Sequence, residues 1–170
     1  MKLTPFNIAN FDENPFELLD KDWMLVTAGS KDHFNTMTVS WGGLGFIWGK
    51  PVVFAVVRHS RYTFEFMEKQ DYFTCQALEE GYRKALTLCG TKSGRDVDKA
   101  AEAGLTPVAL DEVEGVSFEE ARLTLVCRKL FSQDMLEQNF IDHDLFATNY
   151  PDRQDIHRLY VGAIEYHHVK

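Results

Sequence analysis

Apolar residues recur along this chain in two rhythms. Alternation at every second position predicts a strand with one buried face, and recurrence at three and four predicts an amphipathic helix. Trp23 to Ala28 reads as a buried strand, Lys31 to Asn35 as a polar turn, and Thr36 to Trp41 as a second β-rich stretch. Gly42-Gly43-Leu44-Gly45 interrupts that stretch. Glycine inside a strand pattern signals a bulge or a close backbone approach. Pro51 to Val57 is a continuous apolar strand, after which Tyr62, Phe66 and Met67 recur at helical spacing, through Lys69. Phe73, Cys75 and Ala77 alternate with Tyr72, Thr74 and Gln76, which predicts a half-buried strand.

Further on, Tyr82, Ala85, Leu86 and Cys89 share one helical face. Asp96 to Ala103 reads as a short helix ended by Gly104. Leu123, Leu125 and Cys127 alternate with Arg122, Thr124 and Arg128, and Leu159, Val161 and Ala163 alternate with Tyr160, Gly162 and Ile164. Near the start, Asn14-Pro15-Phe16-Glu17 has a capping residue, a proline suited to the first helical position and a glutamate at capping-box spacing. The sum is six or seven strands with helices between them. The alternation is too irregular for a doubly wound parallel sheet, so the expectation is a mainly β fold: a mostly antiparallel barrel carrying peripheral helices.

With 170 residues, no internal repeat and no Pro/Gly/Ser linker, the chain is expected to form one domain over 1–170. A net charge of −8 argues against nucleic acid or an anionic membrane surface as partner. No apolar run approaches the ~18 residues of a membrane span. Met1 to Glu13 is polar with an acidic pair, unlike a signal peptide. Three cysteines without a C-x-x-C suit reduced thiols, so a cytoplasmic location is expected.

Against that acidic background Arg58-His59-Ser60-Arg61-Tyr62-Thr63 stands out, where the apolar strand hands over to a helix. Two readings are open. A helix start has unpaired N–H groups at the positive end of its dipole, and Arg58 and Arg61 add forked donors, with Ser60 and Thr63 supplying hydroxyls. That is an anion site fit for phosphate. Alternatively, Ser60 is an N-cap and the arginines lie on a solvated face. Other motifs fail. Gly43 to Gly49 misses the dinucleotide fingerprint because Trp48 takes the third glycine slot, and its run to Lys50 has the wrong spacing for a P-loop. There is no G-x-S-x-G elbow. Asp142-His143-Asp144 reads as a solvated acidic loop, and no metal site is expected.

Two more stretches join the argument: Asn35-Thr36-Met37-Thr38-Val39-Ser40-Trp41-Gly42, and Cys89-Gly90-Thr91-Lys92-Ser93-Gly94-Arg95-Asp96 continuing to Asp98-Lys99. Together with Arg58 to Thr63 and the closing His157-Arg158-Leu159-Tyr160-Val161-Gly162, the chain resembles the flavin reductase-like family, in its flavoredoxin-like branch, from about Trp23 to Glu165. The resemblance implies an FMN-binding split β-barrel of Greek-key type and a homodimer, with FMN near the subunit interface. It also implies an FMN-dependent oxidoreductase. NADH or NADPH would be the electron donor, and an electron-transfer protein or a monooxygenase a possible partner. An electron carrier without direct NAD(P)H turnover is the alternative.

Carried over by residue, Arg58, Ser60, Arg61 and Thr63 would hold the phosphate. Asn35, Thr36, Thr38 and Ser40 would meet the ribityl chain, and Met37, Trp41 and Tyr62 would form the apolar shelf. The loop of Cys89, Lys92 and Ser93 would approach the cofactor, and His157 would lie by the ring as the catalytic candidate. Each has a plainer reading. Thr36 to Ser40 could be an exposed polar face, Trp41 a core or interface residue, and Cys89 a buried helix residue. Lys92, Ser93 and Arg95 could form a solvated loop, and His157 could be a strand-start histidine bonded to Asp155. Strand alternation also separates Thr36, Thr38 and Ser40 from Met37, Val39 and Trp41. For both sets to face one ligand, the Gly42-Gly43 region must bend the strand or backbone groups must do part of the work.

Overall fold

Ten strands and four α-helices make up the chain in a computed structural model that describes residues 1–170. In order they are β1 (Thr4–Pro5), β2 (Met24–Ser30), β3 (His33–Val39), β4 (Gly42–Ile47), β5 (Lys50–Arg58), α1 (Tyr62–Lys69), β6 (Tyr72–Leu78), α2 (Arg83–Thr91), α3 (Lys99–Ala103), β7 (Pro107–Ala109), β8 (Val116–Phe118), β9 (Ala121–Asp134), α4 (His143–Asn149) and β10 (His157–Val169). The main sheet has the order β3-β2-β6-β9-β10-β5-β4, with β1 added on β10, and β7 and β8 pair separately. All pairings are antiparallel.

The sheet curls on itself. Met37 and Val39 of β3 share a core with Val53, Ala55 and Val57 of β5, although these strands stand near opposite ends of the order. Phe73, Leu123, Leu125 and Tyr160 from the strands between complete that core. The two end strands, β3 and β4, are consecutive in the chain and joined by Ser40-Trp41, yet they form no ladder with each other. The result is a barrel split along one seam. A second core of Leu25, Leu86, Cys89, Ala100 and Phe118 seats α2 and α3 against the barrel. No helix is long and apolar enough to cross a membrane.

The mainly β, mostly antiparallel expectation stands, and α1 covers the expected residues, Tyr62 to Lys69. Several local expectations need correction. The polar turn is only Lys31-Asp32, since β3 already begins at His33. The glycines at 42–45 form a strand of their own, paired to β5 from Gly42↔Ala55 onward. Close approach explains them: a Cβ on Gly42 would lie 2.2 Å from the Phe54 carbonyl oxygen, and its φ is +138°. The β4–β5 hairpin closes through Trp48 and Gly49, both at positive φ (54° and 69°), as a two-residue turn of this twist requires.

β6 is buried on both faces, not half-buried, because its polar side chains satisfy one another. The Gln76 amide donates to the Thr74 hydroxyl, and Thr27 donates to Gln76 Oε1 at 3.1 Å. An alternating pattern thus concealed an inner polar layer. α3 starts at Lys99, three residues later than expected, because Asp98 caps it by accepting from the Ala101 N–H at 3.1 Å. The helix expected from Asn14 forms, with Asn14 Oδ1 accepting from the Phe16 N–H, but it widens into a π-helix over Glu17–Asp22. Asp142 does not head a loop: it caps α4, accepting from the Leu145 N–H at 3.0 Å.

Replacing Gly42 by alanine should cost ~1–3 kcal/mol, because the new Cβ strikes backbone in a φ region that alanine avoids. Urea denaturation midpoints measure this, and an unchanged midpoint would refute the account of the β4 start.

Candidate functional site

An open seam gives β3 a ladder partner on one side only, β2, and brings the C-terminal end of β5 close to it. The chain leaves β5 at Arg58, turns through His59-Ser60 and enters α1 with Arg61 as its N-cap, in extended backbone and without a side-chain cap bond. Arg58 and Arg61 therefore lie between two adjoining chambers. The first, ≈ 220 Å³, is lined by Met37, Thr38, Val39, Ser40, Trp41, Val56 and His157 as well as the two arginines. The second, ≈ 260 Å³, adds Ser60, Tyr62, Thr91, Lys92, Ser93, Lys99 and Asp155 to them. One chamber is apolar and aromatic on much of its wall. The other is lined by Arg58, Arg61, Lys92 and Lys99, with Asp155 as its carboxylate. Beyond Trp41 and Val56 an apolar hollow of ≈ 430 Å³ continues, with Met135, Phe140, Leu145 and Tyr150.

The cleft walls are tied together by the arginines. Arg58 donates to the Asp155 carbonyl at 2.8 Å and the Asn149 carbonyl at 2.9 Å, and its guanidinium lies 5.1 Å from the centre of the Tyr150 ring. Arg61 donates to the Gly90 carbonyl at 2.8 Å, joining α1 to α2. Lys99 is buried, and its ammonium donates to the carbonyls of Thr36 and Cys89, both at 2.9 Å. Burial lowers its pKa to about 8. Lys92 makes no side-chain hydrogen bond or ion pair with the protein, although it lines the second chamber.

His157 is only 8 % exposed and stands opposite Arg58 in the β5–β10 ladder. Its Nδ1 shares a 2.8 Å hydrogen bond with the Tyr150 hydroxyl, and its ring centre is 5.2 Å from that of Trp41. Burial, with the Arg58 charge acting in the same direction, lowers its pKa to about 4, so it is neutral at neutral pH. It is not bonded to Asp155, because that carboxylate is engaged elsewhere. Asp155 accepts the Ser60 N–H at 2.9 Å and the Ser60 hydroxyl at 2.7 Å. Ser60 is accordingly no N-cap: its side chain turns away from the helix to the loop before β10.

The structure brings Met37, Thr38, Ser40, Trp41, Arg58, Arg61 and His157 to the first chamber, and Ser60, Tyr62, Lys92 and Ser93 to the second. Strand alternation holds within β3, where Met37 and Val39 turn into the barrel core and the Thr38 hydroxyl donates to the Leu86 carbonyl on the other face. Past Val39 the chain turns through Ser40 and Trp41 into Gly42, which brings these two to the same chamber. Asn35, Thr36 and Thr63 are outside both chambers and buried. Asn35 Nδ2 donates to the Thr63 hydroxyl at 2.7 Å, and the Thr36 and Thr27 hydroxyls are 2.8 Å apart. These side chains clamp β3 to α1 and β2. Asn35 and Thr36 instead border a further hollow of ≈ 410 Å³, which shares Tyr62 and Lys99 with the second chamber. Cys89 points into the second core, where burial raises its thiol pKa to about 11, so only its carbonyl reaches the site, through Lys99. Sequence reasoning missed the contributions of Lys99, Asn149 and Tyr150. Lys99 closes the stretch that begins at Cys89, but nothing in its neighbours marks a buried lysine.

The family model described as flavin reductase like domain matches residues 19–169. Among solved structures, flavoredoxin from Methanosarcina acetivorans is similar, with 21% identity over 88% of this chain and 68% of that one, at a TM-score of 0.68. The FMN-binding protein from Thermus thermophilus with bound p-hydroxybenzaldehyde gives 16% identity, 98% and 82% coverage and a TM-score of 0.67. An NADH:FAD oxidoreductase from Streptomyces globisporus gives 16% identity, 88% and 75% coverage and a TM-score of 0.64. No curated protein matches the chain.

The neutral histidine carries a stability prediction. Its folded pKa, about 4, lies below the ordinary 6.5, so between those values the unfolded chain binds a proton that the fold refuses. Stability from this group is complete above the ordinary value and falls as pH drops toward the folded one. Between pH of about 7 and about 4.5 the wild type should lose ~2 kcal/mol more than His157→Gln. Parallel urea midpoints in the two proteins would contradict a buried neutral imidazole.

Proposed function

Because the chain belongs to the flavin reductase like domain family, we propose that its two-chamber cleft binds FMN and that the protein is an FMN-dependent oxidoreductase. The supporting observation is adjacency: a chamber of mixed lining, with Val39, Val56 and the exposed aromatic Trp41 on its apolar side, adjoins one lined by four cations, with the same two arginines bordering both. FMN needs that pairing, since it has a flat ring at one end and a phosphate dianion at the other. Trp41 and Val56 would take the ring, whereas Met37, expected on that shelf, is turned into the barrel core. Thr38, Ser40 and the edge of β3 that has no strand partner would meet the ribityl hydroxyls. Arg58, Ser60, Arg61, Lys92 and Ser93 would take the phosphate through charge-assisted hydrogen bonds.

When bound, FMN would supply two-electron chemistry between NADH or NADPH and an acceptor. The protein's part is binding, orientation and exclusion of water. His157, oriented by Tyr150 and held neutral, offers the ring edge a hydrogen-bonding group without a charge. The apolar hollow beyond Trp41 gives space beside the ring for a second reactant. An electron carrier that exchanges only with a protein partner is a second reading, favoured by the structural likeness to a flavoredoxin. A homodimer fits the exposed Phe46, Trp48 and Phe131, which offer an apolar surface on β4, its hairpin and β9. A monooxygenase partner belongs to the same proposal.

Lys92 is a cleaner probe of the phosphate than Arg58, which also holds two loop carbonyls. Lys92→Ala should weaken FMN binding by ~1.5 kcal/mol and leave riboflavin binding unchanged. Titration of flavin fluorescence reads both, and equal losses for the two flavins would contradict the placement. Steady-state oxidation of NADH and NADPH by the FMN-loaded protein then separates the readings. Turnover without a partner supports the reductase, and its absence the carrier.

A further inference from the structure

Ser60 and Arg58 are groups that a flavin phosphate in the second chamber would use, and both already hold a carboxylate. Asp155 receives the Ser60 N–H on one oxygen at 2.9 Å and the Ser60 hydroxyl on the other at 2.7 Å. Arg58 stands 3.7 Å from the second oxygen. A backbone amide, a hydroxyl and a guanidinium around two anionic oxygens are the donor set of a phosphate seat at a helix start.

The carboxylate is delivered there by a fixed loop. Asp152 accepts the N–H groups of Gln154 and Asp155 at 3.1 and 3.3 Å, Arg58 holds the Asp155 carbonyl, and the His59 N–H donates to the Ile156 carbonyl at 3.2 Å. Partial burial pushes the Asp155 carboxyl up, but the Ser60 hydrogen bonds and the Arg58 charge outweigh it and hold the group below the ordinary carboxylate range. It is therefore an anion at neutral pH.

We propose that Asp155 is a resident anion that competes with the flavin phosphate for Ser60 and Arg58, and so sets how far this chain prefers FMN over riboflavin. The proposal rests on the flavin-binding reading. A phosphate entering the chamber meets Arg61, Lys92 and Lys99, but it also meets the carboxylate. Either Asp155 gives up its three partners, or the phosphate sits across from a like charge. Both outcomes weaken FMN, and neither touches a flavin that lacks the phosphate. The side chain is 27% exposed, so it has a route into solvent when displaced.

The test compares FMN and riboflavin affinities by fluorescence titration at one ionic strength, in wild type, Asp155→Asn and Asp155→Glu. Asparagine keeps the shape and removes the charge, so FMN should bind about tenfold more tightly while riboflavin stays within about twofold. Asp155→Glu keeps the charge and should leave FMN near its wild-type affinity, which also checks that the loop tolerates substitution. Unchanged or weaker FMN binding in Asp155→Asn would overturn the proposal, the latter making Asp155 a residue that positions Arg58 and Ser60. Equal shifts for both flavins would overturn it too, by showing an effect on the loop. If neither flavin binds any of the three proteins, the flavin reading itself falls and takes the inference with it.

Discussion

A ladder left open between β3 and β4 is the constraint on which the cleft depends. These strands follow one another in the chain and would form a hairpin in a simple meander. Here Ser40-Trp41 carries the chain across instead, and Gly42 enters β4 at a φ of +138°, pressed against the Phe54 carbonyl. The barrel core is still shared by both sides of the seam, so curvature is kept while β3 takes no second strand partner and the Lys99 ammonium holds its Thr36 carbonyl. An unpaired edge invites association with another strand. In this protein it faces a cleft walled by Trp41 and by the end of β5.

Charge then acts on that geometry. The chain carries a net −8, yet Arg58, Arg61, Lys92 and Lys99 meet in one chamber. Three of them are anchored by carbonyls from other elements: Asp155 and Asn149 for Arg58, Gly90 for Arg61, Thr36 and Cys89 for Lys99. A carbonyl partner fixes a cation without neutralising it, as a carboxylate would. The positive chamber is therefore preorganised, and Asp155 is the anion within it.

Much of the frame was legible in the sequence, because strand and helix periods are local signals. The apolar run into β5 and the helix from Tyr62 to Lys69 were readable because valine-rich and amphipathic patterns there have no competitor. β4 was hidden because its glycines serve a close approach to β5, which only the pairing reveals. β6 looked half-buried because Thr74 and Gln76 are polar, and only tertiary structure shows that they satisfy each other. At the site, Arg58, Ser60 and Arg61 could be picked out by their place between strand and helix. What Ser60 binds could not, since Asp155 lies 95 residues away. The hydroxyls of Asn35's neighbours posed the same problem: a threonine that meets a ligand and one that meets another threonine read alike, and Thr36 pairs with Thr27. The order of motifs along the chain pointed to the family where single residues did not.

The most direct measurement is a two-dimensional amide and indole N–H spectrum of isotopically labelled protein as FMN is added. The account predicts the largest shifts in three separate stretches, at residues 37–41 with the Trp41 indole, at 58–62 and at 90–94. Shifts centred on Phe46, Trp48 and Phe131, or no saturable shifts at all, would contradict it.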